Sequence, residues 1–432
     1  MNTTSTLAAT APPALAATAR RKITRRLLPF LFIIYTTAYI DRVNVGFAGL
    51  DMTRELHFSN EVFGLGAGIF FFGYALLEIP GAMLAESWSA RRWIAVTMIA
   101  WGALASATGL IQNATQFGVV RFLVGLAEGG FFPAVIVYLT HWFRQKDRAK
   151  AIAFFMSAIP MSNALGGVVA GRLLGVHWLG ASGWRWLLIL EGLPAVIGGV
   201  ATLFYLTDWP RDARWLAEDE REWITTALER ERREKSAGES HVPILRAIRR
   251  PIVVALAASY FTITLAGYGL VFWLPKMVQS LHGLTTWQVS LVASIPWLFA
   301  TPAMLLTGWH SDKTGAHKWH AAMTTFACAA GLALSQVPGA PTPVVMAGFS
   351  IAAMGSLSYY PSFWSLATNA LSPAGAAAAF GFVVLVGNLG GFVGPYAIGY
   401  LTDATGSYAA GILALAGSAI ASGGILVALR VR

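Results

Sequence analysis

Along this chain, apolar runs of about twenty residues alternate with short polar breaks, and twenty is the number an α-helix needs to cross the hydrocarbon core of a bilayer. Runs of that size lie near 27–50, 62–85, 92–112, 115–139, 150–175 and 186–207, and six more near 251–274, 287–308, 319–337, 342–367, 376–401 and 408–429. The pattern predicts an all-α polytopic membrane protein with twelve transmembrane helices. One long polar stretch, 208–250, interrupts it and divides the helices six and six. This stretch holds ten basic and ten acidic residues, with Trp215, Leu216, Trp223, Ile224 and Leu228 at partly helical spacing. A mixed-charge amphipathic helix lying along the membrane face suits that composition. The expected organisation is a tail over 1–26, a six-helix half over 27–207, the linker 208–250 and a second half over 251–432.

Composition agrees with bilayer as the solvent. Hydrophobic residues fill 56% of 432 positions and charged residues 12%, with a mean hydropathy of +0.59, which leaves too little charge to wet the surface of a soluble domain. A net charge of +10 would raise nucleic acid as a partner for a soluble protein. Here the basic residues sit in short segments between apolar runs, so no nucleic-acid partner is expected. With the N-terminus inside, 25 of the 31 Lys and Arg fall on the cytoplasmic side; the exceptions are Arg42, Arg54, Arg121, Arg172, Arg185 and Lys276. The positive-inside rule therefore places both termini in the cytoplasm. The first nineteen residues carry no positive charge ahead of an apolar core, so they do not read as a secretory signal. Arg20-Arg21 precedes a run that contains Asp41 and Arg42, which favours a first membrane helix over a twin-arginine signal. The single cysteine, Cys328, makes an intramolecular disulfide impossible and reads as a small buried side chain.

Three loops resemble one another. One reads Gly308-x-x-x-Asp312-Lys313-x-Gly315-x-x-Lys318; another runs from Gly81 through Glu86 to Ala90-Arg91-Arg92; a third reads Gly399-x-x-x-Asp403-x-x-Gly406. Glu86 and Asp312 lie 226 residues apart, about half the chain, and Asp312 and Asp403 lie 91 apart, about three helices. Repetition at both periods fits three-helix units nested within six-helix halves. The loop from Gly308 to Lys318 resembles the signature loop of the major facilitator superfamily, with 81–92 as a degenerate copy. Ala38-Tyr39-Ile40-Asp41-Arg42-Val43-Asn44-Val45-Gly46 is similar to the helix 1 motif of its anion:cation symporter family, as is Arg121 through Glu128 to Pro133 in helix 4. The stretch from Phe204 to Leu216 resembles the tartrate-permease-like branch.

Charge at membrane depth costs a few kcal/mol or more and usually faces a cavity. Asp41 and Arg42 sit mid-helix 1, with Asn44 one turn from Asp41. Arg121 and Glu128 are seven residues apart on helix 4, two turns and so roughly one face. Arg42 offers a planar, permanently charged fork suited to a carboxylate, and Asp41 and Glu128 could bind and release protons. The competing reading pairs Asp41 with Arg42 and Arg121 with Glu128 as packing ion pairs. The resemblance implies that Asp41 and Glu128 carry protons, that Arg42 holds a substrate carboxylate, and that Tyr74 and Asn388 belong to the binding cavity. Tyr35, Tyr39, Ser362, Trp364 and Ser365 are further cavity candidates, Asn163, Gly166 and Gly167 read as helix packing, and Glu78 and Glu191 read as structural partners. Glu86, Arg91, Arg92, Gly308, Asp312, Lys313 and Gly315 are expected to latch the cytoplasmic side.

The eight histidines fall mostly in loops, with no HExxH, no P-loop Gly-Lys-Ser/Thr and no cysteine ligands, so no catalytic or metal-binding residues are expected. An ATP-driven pump fails for want of a nucleotide domain, and a channel fits poorly with two halves and buried charge pairs. The expectation is a monomeric bacterial inner-membrane symporter, with no cofactor and protons as coupling ion, moving a small organic anion such as a hydroxy or sugar acid. An anion exchanger or uniporter of the same fold, or a non-transporting membrane sensor, is the alternative.

Overall fold

The computed structural model describes residues 13–236, 244–281, 283–371 and 376–430; the first twelve residues of the tail, His241, His282 and Arg432 lie outside them. The first half comprises α1 (Pro13–Glu55), α2 (Asn60–Ser87), α3 (Ala90–Thr108), α4 (Ala114–Gly129), α5 (Phe131–Trp142), α6 (Gln145–Met156), α7 (Ala158–Leu174) and α8 (Gly183–Tyr205). The linker forms α9 (Glu218–Ser236) and α10 (Ile244–Ile248). The second half comprises α11 (Pro251–Gln279), α12 (Thr286–Thr314), α13 (His317–Leu334), α14 (Thr342–Ala370), α15 (Ala376–Thr405) and α16 (Tyr408–Ala428).

Among the described residues nine helices, counting α4–α5 and α6–α7 as one each, are long and apolar enough to cross a membrane. α1, α3 and α13 complete the twelve; Asp41 and Arg42 interrupt α1, and basic residues open α3 and α13. Two crossings are broken for one reason. Proline lacks an N–H and its ring clashes with the carbonyl four residues back. Pro133 points at Gly129, where α4 ends, and Pro160 points at Met156, where α6 ends.

Small residues let the helices approach closely. Gly125 and Gly129 of α4 press against the main chain of α2 at Phe70 and Tyr74, where a side chain would collide with backbone. That contact holds the charged face of α4 against α1 and α2. At the end of the bundle opposite the two termini, Glu55 fastens α1 to α8. Burial alone would raise its carboxyl, but Ser182, the Trp184 indole (2.7 Å) and Arg185 (3.1 Å) donate to it and hold it below the usual carboxylate value.

The same end joins the halves. Gly64 and Gly68 of α2 lie against the α15 backbone at Pro395 and Phe392, and Gly167 of α7 lies against Ser290 and Ser294 of α12, which bears out the packing expected there. Asp403, from the third of the repeated loops, accepts from the Asn60 side chain (2.8 Å), the Asn60 N–H (3.3 Å) and the Glu61 N–H (2.7 Å). A carboxylate of one half thus caps the N-terminus of a helix of the other, where the first N–H groups and the helix dipole both favour it. Tyr396 adds a hydrogen bond to Glu61 at 3.0 Å.

The loops at the other end, named from sequence as a latch, hold their own halves here. Asp208 accepts from Ser89 (2.7 Å) and from the Arg91 N–H (2.9 Å), and pairs with the Arg91 guanidinium. Arg92 lies over Trp88, and Glu86 faces Arg232 of α9. Gly308 abuts Pro361, Asp312 accepts from Ser365 (3.4 Å), Lys313 lies over Trp309, and Gly315 takes the left-handed conformation that ends α12. Each of these contacts stays within one half or ties it to the linker. The linker helix also departs from expectation. Trp223, Ile224 and Leu228 are buried against the first half, with Glu220 held by Lys22 (2.8 Å) and Glu231 by Arg144 (3.1 Å), so its apolar side faces protein and not lipid.

Removing the Asp403 cap should loosen the closed end. Asp403→Ala should cost about 1 kcal/mol, the worth of a helix cap, and raise labelling of a cysteine placed at buried Phe272 about fivefold. Maleimide labelling in a Cys328→Ser background measures this, and equal rates with and without Asp403 would refute the cap as a latch.

Candidate functional site

α1 crosses the middle of the bundle with Asp41, Arg42 and Asn44 buried at 3%, 6% and 2% exposure. A guanidinium that deep needs partners on every side. Arg42 donates to Glu128 of α4 through Nε at 3.1 Å and through Nη2, and Nη1 reaches the Tyr268 hydroxyl of α11 at 3.4 Å. Aromatic rings close the rest: Tyr39 at 4.6 Å, Tyr74 at 5.0 Å and Phe70 at 5.4 Å from the guanidinium carbon. Cation–π contacts of this kind strengthen when the site is dry. Arg42 therefore binds an acid of its own half and a phenol of the other.

Asp41 takes a different neighbour. Asn44, three residues on and hence on the same helix face, donates to its Oδ1 at 3.0 Å. Arg121 of α4 lies over Phe70 at 4.8 Å, within electrostatic reach of both Asp41 and Glu128. Its Nε and Nη2 are buried with no hydrogen-bond partner, so the cation holds unused donors. Neither pairing offered from sequence forms as stated: the buried pair is Arg42–Glu128, across helices.

Asn388 of α15 does not join Arg42. Its amide donates to Glu78 of α2 at 2.8 Å, one turn from Tyr74, and this links the halves near mid-bundle. Glu78, read from sequence as a structural partner, is paired with this amide. Trp364 of α14 packs within the second half against Tyr260, Phe363 and Phe380, and the neighbouring Ser362 is fully buried with its hydroxyl without a partner. Tyr35 stacks on Phe155 at 4.0 Å and serves packing.

Tyr268 and the pairing of Glu78 with Asn388 escaped the sequence reading; Glu191, read there as a structural partner, is buried on α8 with neither oxygen hydrogen-bonded. Tyr268 carried a usable signal. It lies 226 residues from Arg42, the same interval that separates Glu86 and Asp312, so the internal repeat places both at equivalent points of the two halves.

The arrangement can bind an anion: two buried guanidiniums, a ring of phenols and amides, and three acids able to hold or release protons. Among the described residues no cluster of His, Cys, Asp and Glu could hold a metal ion.

Comparison with known proteins agrees with this geometry. A family model for the Major Facilitator Superfamily matches residues 31–395. A protein of Agrobacterium vitis named "Putative tartrate transporter" is 42% identical over 384 residues, covering 89% of this chain and 88% of its own length. The Escherichia coli K12 "Inner membrane transport protein RhmT" is 38% identical over 373 residues, covering 86% and 85%. Among solved structures, the inward-open xylose transporter XylE of E. coli superimposes with a TM-score of 0.73 at 16% identity, covering 94% of this chain and 96% of that one. A bacterial homologue of the human lysosomal transporter Spinster, inward-facing and unoccupied, does so with a TM-score of 0.71 at 18% identity, covering 95% of each chain. By family match, by relatives and by fold, this chain is a multi-pass membrane transporter that belongs to the Major Facilitator Superfamily.

Proposed function

We propose that the protein is a proton-coupled symporter that takes up a small organic carboxylate, a hydroxy or sugar acid such as tartrate, across the bacterial inner membrane by alternating access. The observation that carries this reading is the Arg42 guanidinium, buried and shared between Glu128 of one half and Tyr268 of the other. With both termini cytoplasmic, the end closed by Asp403 faces the periplasm. An internal carboxylate, Glu128, occupies Arg42 in the empty protein. Protonating Glu128 removes that competitor, so a substrate carboxylate takes the Nε and Nη2 donors that Glu128 Oε1 holds in the empty protein. Asp41 is the second proton carrier. Tyr39 and Tyr74 wall the guanidinium, Arg121 offers its unused donors, and Asn388 turns from Glu78 to a substrate hydroxyl. Because Arg42 touches both halves, exchanging Glu128 for substrate changes what holds the halves together, and that couples occupancy to rocking. No cofactor takes part, and one chain suffices.

An anion exchanger is the second reading, and the completed Arg42–Glu128 pair is what favours it, since a pair that never opens needs no proton. The two readings part in vesicles: uptake of labelled tartrate under an inward proton gradient should collapse with an uncoupler if protons drive it. Uptake that survives the uncoupler and needs an internal anion would establish exchange.

Arg42→Ala should weaken substrate binding at least about 30-fold, the lower range for truncating one member of a buried charge pair, and Arg42→Lys should restore little because it lacks the fork. Binding calorimetry on the purified protein reads both, and near-wild-type affinity in Arg42→Ala would remove Arg42 from the site. Glu128→Gln should lose proton-driven accumulation while keeping counterflow of labelled against unlabelled substrate. Undiminished accumulation in that variant would take Glu128 out of the coupling scheme.

A further inference from the structure

Among the described residues, five carboxyl and guanidinium side chains lie in the interior of the first half, none more than 6% exposed: Asp41, Arg42, Arg121, Glu128 and Glu191. Two of them are guanidiniums, which stay charged in proteins; three are acids. Fully ionised, the group would carry one uncompensated negative charge in a medium that penalises it heavily. One proton must therefore reside there even in the empty protein, and the geometry distinguishes where.

Glu128 holds Arg42 directly, and Asp41 has Arg121 and Arg42 in electrostatic reach as well as the Asn44 amide. Neither guanidinium is among the groups acting on Glu191. Among the described residues the charged group acting on it is Asp41, a like charge. Of the helices packed on α8, α3 carries Arg91 and Arg92 only in its first turn, the single charge of α7, Arg172, lies over Trp287 at the closed end, and the mid-helix cation of α1, Arg42, is held by Glu128. Arg185, on α8 itself, is spent on Glu55. Both Glu191 oxygens lack a hydrogen-bond partner. The polar group facing it is the Asn44 amide, whose own Oδ1 is a buried acceptor that receives nothing. A neutral Glu191 has one O–H to give, and giving it to Asn44 Oδ1 satisfies that acceptor and one of the two Glu191 oxygens. An ionised Glu191 would leave Asn44 Oδ1 unsatisfied and add a second negative charge beside Asp41.

We propose that Glu191 is a positioning residue of the coupling site: it holds a resident proton as a neutral acid and donates to Asn44 Oδ1, which fixes the Asn44 amide N–H on Asp41. With Glu191 neutral, Asp41 and Glu128 balance Arg42 and Arg121, and the exchangeable protons are those of Asp41 and Glu128 alone. This deepens the symport reading and rests on it for the role of Asp41, but its test needs neither substrate nor flux.

Infrared spectra of the lipid-reconstituted, substrate-free protein at neutral pH should contain a carboxylic-acid carbonyl band that Glu191→Gln removes. Asn44→Leu should shift that band without abolishing it, because the acid stays protonated and loses its acceptor. Identical carboxylic-acid regions in wild type and Glu191→Gln would overturn the proposal. In flux, Glu191→Gln, already neutral and isosteric, should keep proton-driven uptake with its pH profile unmoved, whereas Glu191→Ala should lower uptake about tenfold through the unsatisfied Asn44 and displace the profile. Loss of uptake in Glu191→Gln as complete as in Glu128→Gln would make Glu191 an exchanging group and refute a resident proton. If uptake proves insensitive to an uncoupler while the band is still lost, the symport reading fails and the protonated Glu191 stands.

Discussion

A guanidinium in the middle of a membrane protein cannot give up its charge, so the structure around Arg42 has to answer it from every direction. Glu128 does so with a carboxylate, Tyr268 with a hydroxyl, and Tyr39, Tyr74 and Phe70 with the faces of their rings. These partners come from α1, α2, α4 and α11, two halves of the chain and four helices, which is why the site is also the point where the halves meet. Any ligand that competes for Arg42 competes with the contacts that set the arrangement of the halves.

That arrangement depends on small residues more than on large ones. Apolar side chains gain little from one another in lipid, so close backbone approach and polar contacts decide how membrane helices associate. Gly125 and Gly129 bring α4 against α2, which sets Glu128 within reach of Arg42; Gly64 and Gly68 bring α2 against α15 at the closed end. The backbone-to-backbone apposition of α2 and α15 lies at that end. Asp403 and Tyr396 add polar contacts there at the first turn of α2, while the loops around Glu86 and Asp312 secure only their own halves and the linker. Parting the halves at that end would require the Asp403 cap to open and would leave the terminal-end loops intact within each half.

Charge is balanced unevenly in this interior. Arg42 and Glu128 neutralise each other at contact distance, whereas Asp41 and Arg121 do so through space, with unused donors on Arg121. The looser pair leaves donors free for an anion, whereas the contact pair has to open before Arg42 can take one.

The chain's periodicity alone determined that this is a twelve-helix membrane protein in two related halves, because the bilayer imposes one length on every crossing and one cost on every charge. For the same reason Asp41, Arg42, Arg121 and Glu128 stood out without coordinates: ionisable groups in apolar runs are rare enough to read directly. Pairing could not be read that way. Asp41 adjoins Arg42 in sequence, yet successive residues on a helix point about 100° apart, so Arg42 meets Glu128 from another helix and Asp41 meets Asn44. Asn388 turns to Glu78, Glu191 is left without a cation, and the apolar side of α9 covers protein, because each outcome depends on which helix faces which. Spacing along one helix fixes its own faces. Only packing between helices, set by a few glycines and prolines, decides what those faces see.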